Sequence, residues 1–295
     1  NILNGLGQYM KIKMNNVYLC SFASPDLDRS KLRFLSQAKS IGIYKDIKIF
    51  SFEDLSKSKK KQIQSFIKNK KKRLFGYGCW KAEIIKNYIK KLPKNSILQY
   101  SDIGCHLNKN GIVRLKKYIN LCKKKSMITF QYKIPKSSHF KNFSNYKYQR
   151  YFEYEYTKMD LFKYLNITKK EIFNSEQIMS GIIFLKNNNY SLNILNKWEE
   201  MLKYNNLIND AKSLIPNHNS FIEHRHDQSV FSLICKQKKV YSLSSSECEW
   251  AEFQNKRTWE HLNNFPILAF RDKKYNLLKR FFERQKKNIN RFINK

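Results

Sequence analysis

The sequence predicts an α/β fold in which a mostly parallel central sheet is flanked by helices. Short apolar runs that suit buried strands alternate with longer stretches whose apolar residues recur at helical spacing. The first strand, helix and strand follow one another directly, an order that implies a right-handed crossover and a parallel pair. With 295 residues and 41% hydrophobic content, the chain can bury one sizeable core.

Each expected strand is a short apolar-rich run bounded by turn residues. The five strands of the central sheet are expected near residues 16–23, 47–52, 96–100, 127–132 and 181–185. The first helix is expected to begin at Asp28, an N-cap residue, and to end at Gly42. Further helices are expected over residues 81–91, 110–125, 153–165 and 192–202, and from Asp227 onward. Residues 133–151 show no period and predict a long loop or lid.

The chain is strongly basic. Lys and Arg number 58 against 23 Asp and Glu, a formal charge of +35. Such a surface attracts polyanions, whether lipid headgroups, nucleotide diphosphates or nucleic acid. The codon bias of an AT-rich genome is an alternative source of the same composition. The lysines are spread over the chain and no nucleic-acid-binding motif punctuates it, so nucleic acid is not the expected partner.

The six cysteines are scattered without Cys-x-x-Cys pairs, which predicts neither a zinc site nor a disulfide framework. We expect reduced thiols in a cytoplasmic protein. No run of about 18 apolar residues suggests a membrane-spanning helix.

Residues 75–108, FGYGCWKAEIIKNYIKKLPKNSILQYSDIGCHLN, are the most informative stretch. They are expected to form a glycine-containing loop, a helix from Lys81, a strand, and an acidic loop that begins with Asp102. In open α/β sheets, ligands bind outside the carboxyl ends of the strands. A carboxylate there suits a metal–diphosphate or a sugar hydroxyl, and Gly104 would let a ligand approach the backbone closely.

Two later segments carry further polar candidates. In SEQIMSGIIFL (175–185), Gln177 and Ser180 precede Gly181 and an apolar strand; a turn into that strand is the alternative explanation. In EHRHDQSVFSL (223–233), His226, Asp227 and Gln228 stand at the start of an apolar helix. A simple N-cap would explain Asp227 alone, because the helix dipole favours a carboxylate there, but the surrounding charged and imidazole groups exceed what a cap needs.

These three segments resemble bacterial glycosyltransferases of the GT-A type. GYGCWK and SDIG resemble the donor-site region, SEQIMSG resembles the Ser–Gly turn of retaining members, and Asp227–Gln228 resembles the Asp–Gln element of glycogenin-like transferases. The order of the three is also that of the family, over roughly residues 15–235. One departure is Gly104, which stands where many relatives have a second aspartate.

The resemblance implies a GT-A-like nucleotide-binding fold and an enzyme that moves a sugar from a nucleotide-sugar donor, expected to be UDP-linked, to a glycan. It implies catalytic roles for Asp227, Gln228 and Asp102, and acceptor contacts for Gln177 and His226. It implies donor binding by Trp80, Lys81, Asp102, Gly104, Ser180 and Gly181, although Trp80 equally suits a core position. A divalent metal, Mn²⁺ or Mg²⁺, would be held by Asp102 and His226; the Asp-x-Gly motif leaves this cofactor open. Retention or inversion also stays open.

Residues 15–272 are expected to form the GT-A-like catalytic domain and residues 1–14 a leader or disordered segment. In residues 273–295, apolar residues recur at helical spacing with basic residues outside their stripe, which predicts a basic amphipathic helix. By the same resemblance, the acceptor would be a growing or lipid-linked bacterial surface glycan, as in lipooligosaccharide or capsule biosynthesis. The C-terminal helix would bind the anionic inner face of the cytoplasmic membrane. The alternative is that it docks on the catalytic domain. The rival functions are a sugar phosphoryl-group transferase and a nucleic-acid-binding protein.

Overall fold

A computed structural model describes residues 16–68 and 74–272, together with Gln285. It has the α/β architecture that the sequence predicts, with helices on both faces of a mostly parallel sheet. The predicted leader (1–14), the predicted C-terminal helix (273–295) and residues 69–73 lie outside the described residues. No helix in the described part of the chain is long and apolar enough to cross a bilayer.

The strands are β1 (Val17–Phe22), β2 (Asp46–Phe50), β3 (Ile97–Ser101), β4 (His106–Leu107), β5 (Met127–Gln131), β6 (Lys147–Tyr148), β7 (Ile182–Lys186), β8 (Tyr241–Ser244), β9 (Ala251–Phe253), β10 (Lys256–Thr258) and β11 (Ile267–Leu268). The helices are α1 (Asp28–Ile41), α2 (Lys57–Lys68), α3 (Leu74–Tyr77), α4 (Lys81–Ile89), α5 (Ile112–Lys125), α6 (Glu153–Tyr156), α7 (Met159–Tyr164), α8 (Lys170–Phe173), α9 (Asn189–Met201), α10 (Asn205–Ile208) and α11 (Asp227–Gln237).

The central sheet has the strand order β2-β1-β3-β7-β5-β8. The pairs β1–β2, β1–β3 and β5–β8 are parallel, whereas β7 runs antiparallel to both of its neighbours. The carboxyl ends of β1, β3, β5 and β8 therefore meet at one edge, where β7 begins. We call this the carboxyl edge; Asp102, Gly181 and Tyr132 all lie there, directly after β3, before β7 and after β5.

Successive side chains of a strand point to opposite faces of the sheet, so the buried residues form one apolar cluster on each face. Tyr18, Cys20 and Phe22 of β1 face a cluster that includes residues of α2, α4, α9 and α11. Val17 and Leu19 face the opposite cluster, which includes residues of α1 and α5. Both layers are built from the periodic apolar positions that predicted the elements, and both hold the carboxyl edge in place.

Two expectations about elements need correction, and one strand of the sheet was not predicted. The helix expected over residues 153–165 is two short helices, α6 and α7, because Thr157 is extended between them. Residues 133–151 are not featureless: they include a 3₁₀ helix, Ser138–Phe143, and Phe140 packs against Leu262 and Phe265. The strand β8 was not predicted, because its polar sequence YSLS carries only a weak strand pattern.

Candidate active site

A cavity of about 450 Å³ opens at the carboxyl edge. Its walls come from the end of β1, the segment before α4, the loop after β3 and the start of α11. The lining residues are Phe22, Ser24, Pro25, Leu27, Ile67, Leu74, Phe75, Gly78, Trp80, Lys81, Asp102, Ile103, Gly104 and Asp227. The apolar members far outnumber the charged ones, which are Lys81, Asp102 and Asp227.

Lys81 ties the two carboxylates together. Its Nζ lies 3.3 Å from Asp102 Oδ1 and 2.9 Å from Asp227 Oδ2, and it donates to Ser180 Oγ at 3.3 Å. Only 5% of the residue is exposed. Burial alone would lower the pKa of Lys81, but the attraction of Asp102 and Asp227 outweighs it and raises the pKa above its ordinary value. The ammonium is therefore a permanent cation whose three protons all have protein acceptors.

Asp102 is the carboxylate that reaches into the cavity. Its side chain is 41% exposed. Tyr100 lies two residues earlier on the same face of β3 and donates its hydroxyl to Asp102 Oδ1 at 2.7 Å. Burial, with Asp102 nearby, keeps the pKa of Tyr100 well above its usual range, so this hydroxyl stays a hydrogen-bond donor. Oδ2 of Asp102 accepts no hydrogen bond from a described residue and is left for a ligand.

Asp227 is the buried partner in the same cleft. It is the first residue of α11 and is 2% exposed, so the positive end of the helix dipole favours its charge. Ser180 donates its hydroxyl to Asp227 Oδ2 at 2.7 Å. The three segments that the sequence singled out, around Asp102, Ser180 and Asp227, thus meet around one lysine.

Two glycines make room for the carboxylates. A Cβ on Gly78, whose φ is +72°, would lie 2.6 Å from Asp227 Oδ1, and a Cβ on Gly181 would lie 2.8 Å from Asp102 Oδ2. The space beside Gly104 is filled by the backbone of Arg271, 3.1 Å from where its Cβ would be. The close approaches at Gly181 and Gly104 are therefore made by the chain's own atoms, where the sequence analysis expected a ligand.

We expect Gly78→Ala to reduce activity far more than a backbone effect alone would, because the new Cβ displaces Asp227. Gly42→Ala is the matched control: its φ is +71° and its Cβ would meet nothing within 4 Å. Left-handed strain should cost both variants about 1 kcal/mol of stability, and Gly78→Ala should lose more in urea unfolding because its Cβ also displaces the buried Asp227. Equal activity of the two variants would show that the position of Asp227 does not matter.

Trp80 both lines the cavity and packs in the core, the two alternatives that the sequence left open. It lines the cavity, yet its ring stacks on Phe22 at 3.8 Å between centroids and its Nε1 donates to the carbonyl of Phe75. Phe22 and Phe75, which the sequence analysis did not single out, complete this aromatic wall. Its only sequence signal was proximity to the strand end and to the glycine-containing loop.

Gln177, Gln228 and His226 do not line the cavity. Gln177 is fully buried and donates to Thr157 and Ser229, so a direct acceptor contact does not fit its place. Its Oε1 instead accepts from Gln228 Nε2 at 2.8 Å.

His226 is also buried. Its Nδ1 lies 2.7 Å from the carbonyl oxygen of Ile208, and its ring packs 4.6 Å from that of Tyr77. His226 is the residue directly before α11, and these contacts hold the start of that helix in place.

The residues around the cavity offer a divalent metal little more than one ligand. Within the described ranges, no group of three His, Cys, Asp or Glu side chains is arranged to hold a metal. Lys81 already neutralises part of the charge between Asp102 and Asp227. Oδ2 of Asp102 fits the single-carboxylate role that Mg²⁺ accepts when substrate phosphates supply further ligands. His226 does not fit as the second ligand, because Nδ1 is engaged with Ile208, Nε2 lies 3.5 Å from Asp210 Oδ1, and the residue does not line the cavity.

Comparisons with known proteins give likeness in structure alone. No protein-family model matches the chain. No curated protein matches it in sequence. A glycosyltransferase involved in the glycosylation of the major capsid of PBCV-1 is similar over 87% of this chain and 97% of that chain, with 13% identity and a TM-score of 0.46. Mouse xyloside xylosyltransferase 1 in its apo form is similar over 79% of this chain and 87% of that chain, with 8% identity and a TM-score of 0.38. At these values the function has to be argued from the site.

Proposed function

We propose that the protein transfers a sugar from a nucleotide-sugar donor to a glycan acceptor. The observation that carries this is the cavity at the carboxyl edge, apolar over most of its wall and closed by two carboxylates on one buried lysine. Such an edge is where open α/β sheets bind nucleotides.

Different parts of the cavity wall suit the base and ribose, the diphosphate and the sugar of a nucleotide-sugar donor. Pro25, Leu27, Ile67, Leu74 and Phe75 offer apolar contact to a base and ribose. Trp80 and Lys81 bring the start of α4 to the wall, where the helix dipole favours a diphosphate. Asp102 then stands where the sugar would lie, with a free carboxylate oxygen for a hydroxyl or for the reacting carbon.

The charge of the site matches glycosyl transfer. The transition state carries positive charge on the sugar ring and negative charge on the leaving diphosphate. Two carboxylates and one ammonium leave a net negative charge beside the sugar, fixed before the reaction and partly shielded from water. The carboxylate of Asp102 is the accessible negative charge and that of Asp227 is the buried one, while Lys81 and Ser180 hold both carboxylates in place. A divalent metal on Asp102 Oδ2, when bound, would neutralise charge on the diphosphate.

The finer assignment is also a proposal. The motif resemblance supports a UDP-linked sugar and a bacterial surface glycan acceptor, as in lipooligosaccharide or capsule synthesis. The formal charge of +35 supports attraction to anionic headgroups, and hence peripheral binding at the inner face of the cytoplasmic membrane. Vesicle sedimentation with and without residues 273–295 tests the membrane part, since equal binding would exclude that segment as the anchor.

The test of the function is a panel of UDP-, dTDP-, GDP- and CMP-sugars incubated with the enzyme, with and without EDTA. Glycosyl transfer or slow donor hydrolysis releases the nucleoside diphosphate from the first three. Release of a nucleoside monophosphate from a UDP-sugar would instead show phosphoryl-group transfer. Calorimetric titrations with nucleotide sugars and with single-stranded DNA run in parallel. Tight binding of DNA without binding of nucleotide sugars would contradict the proposal that the protein is an enzyme.

A further inference from the structure

A second cluster of polar and aromatic side chains lies at the carboxyl edge. Its centre is Arg225, whose guanidinium carbon lies 3.8 Å from the ring centroid of Tyr151 and 4.2 Å from that of Tyr156. Tyr132 packs edge-on against Tyr151, with 4.6 Å between ring centroids. We call these four residues the tyrosine–arginine cluster. None of them lines the cavity described above.

The sheet topology places this cluster on the far side of the reacting carboxylates. The cavity lies over the ends of β1 and β3, whereas Tyr132 follows β5, on the other side of β7. The N–H of Tyr132 donates to the carbonyl of Gln177, three residues before Ser180, and Arg225 stands two residues before Asp227. A ligand on the cluster would thus meet a donor sugar at Asp102 and Asp227 from the opposite side.

The side chain of Arg225 is packed against aromatic rings, but its hydrogen-bond donors are not used within the described part of the chain. The rings of Tyr151 and Tyr156 pack against it, with 5.1 Å between their centroids and 79° between their planes, and its side chain is only 19% exposed. Its nearest acidic group is Glu223, 3.8 Å from Nε, beyond hydrogen-bond distance. The guanidinium makes no hydrogen bond to a described residue. The N–H groups of this partly dehydrated guanidinium are thereby left to bind a ligand.

The chemistry of that edge defines the ligand. A planar guanidinium pairs with a carboxylate or a phosphate through two parallel hydrogen bonds, which a neutral hydroxyl cannot match. Low exposure strengthens such a pair relative to one in open water. The two tyrosine rings already restrict the side chain of Arg225, so little side-chain freedom is lost on binding.

We propose that the tyrosine–arginine cluster is the acceptor subsite, and that it selects a sugar that carries a carboxylate or a phosphate near the hydroxyl that is glycosylated. This inference rests on the proposed function, because it assigns the second substrate of the same site. Arg225 would grip the anionic group and so set the acceptor's orientation toward Asp102.

The test is binding to a glycan array that pairs neutral sugars with uronic-acid and phosphorylated counterparts, with UDP present at saturation. We expect wild type to bind acidic members at least about tenfold more strongly than their neutral pairs, the worth of one charged hydrogen-bond pair. The uronic-acid and phosphate pairs show which anion is preferred. Arg225→Gln should lose the preference, and Arg225→Lys should recover only part of it.

The basic surface itself attracts anions, so the control must remove one charge elsewhere. Lys116→Gln, on an exposed position of α5, should keep the preference at physiological salt. Thermal melting and UDP binding of Arg225→Gln should match wild type, which excludes misfolding. Absence of any acidic preference, or its persistence in Arg225→Gln, would overturn the inference. If nucleotides do not bind to wild type either, the proposed function itself has failed.

Discussion

Lys81→Met is expected to destabilise the protein by about 3–5 kcal/mol, the cost of leaving a buried charge without its partner. Asp227 is 2% exposed and would keep only the hydroxyl of Ser180, while Asp102 would repel it without the ammonium between them. In a chain of this size the loss corresponds to roughly 10 °C in melting temperature. Transfer activity should disappear as well, because both carboxylates lose their fixed positions.

Lys86→Met is the matched control on the same helix. Lys86 pairs with Glu199, and the two side chains are 16% and 17% exposed, so solvent screens the pair more than it screens Lys81. We expect this control to lose less stability than Lys81→Met, because the loss of Lys86 leaves one carboxylate without its partner and the loss of Lys81 leaves two. In urea unfolding, adding Asp227→Asn to Lys81→Met should recover part of the loss, since it removes the orphaned charge. Equal losses for Lys81→Met and Lys86→Met would show that the site lysine holds no special charge balance.

The strands and the place of Asp102 could be predicted because they depend on local sequence. Each of the five expected strands is a short run between turn residues, and every one of them lies in the sheet within a few residues of its expected bounds. A carboxylate that directly follows a central strand must stand at the carboxyl edge, whatever the rest of the chain does. The Asp227 helix start followed from a polar cluster ahead of an apolar periodic stretch in the same way.

The role of Lys81 could not be predicted, because it depends on three segments far apart in the chain. The sequence showed a lysine at a helix start and suggested a phosphate contact. Only the fold brings Asp102, Ser180 and Asp227 around its Nζ. Once all three ammonium protons have acceptors, a direct phosphate contact is no longer its main task.

The glycines show a second limit of sequence reasoning. A glycine indicates where a Cβ does not fit, but it does not name the atoms that occupy the space. At Gly181 these atoms belong to Asp102, and at Gly104 they belong to Arg271. Gln177 shows the same limit for polar residues: its type suggested a substrate contact, yet it is fully buried and supports Gln228.

Asp102→Asn is expected to lower the transfer rate by at least about a hundredfold, the scale found when a group that stabilises transition-state charge is removed. The stability of the fold should hardly change, and we expect a melting temperature within about 2 °C of wild type. Asp102 is 41% exposed, and asparagine keeps an acceptor oxygen for Tyr100. Lys81 retains Asp227 as its charged partner. UDP binding should also persist, because the apolar wall of the cavity is unchanged.

Asp227→Asn separates charge from accessibility. Both substitutions remove one negative charge beside Lys81, but Asp227 is buried, whereas Asp102 lines the cavity with a side chain that is 41% exposed. We therefore expect Asp227→Asn to lower stability as well as rate, whereas Asp102→Asn lowers rate alone. The measurement is single-turnover transfer from the donor that the nucleotide-sugar panel identifies, beside thermal melting of each variant. A folded Asp102→Asn protein that transfers sugar at the wild-type rate would mean that the reacting sugar lies elsewhere, since no other carboxylate among the cavity-lining residues is as exposed.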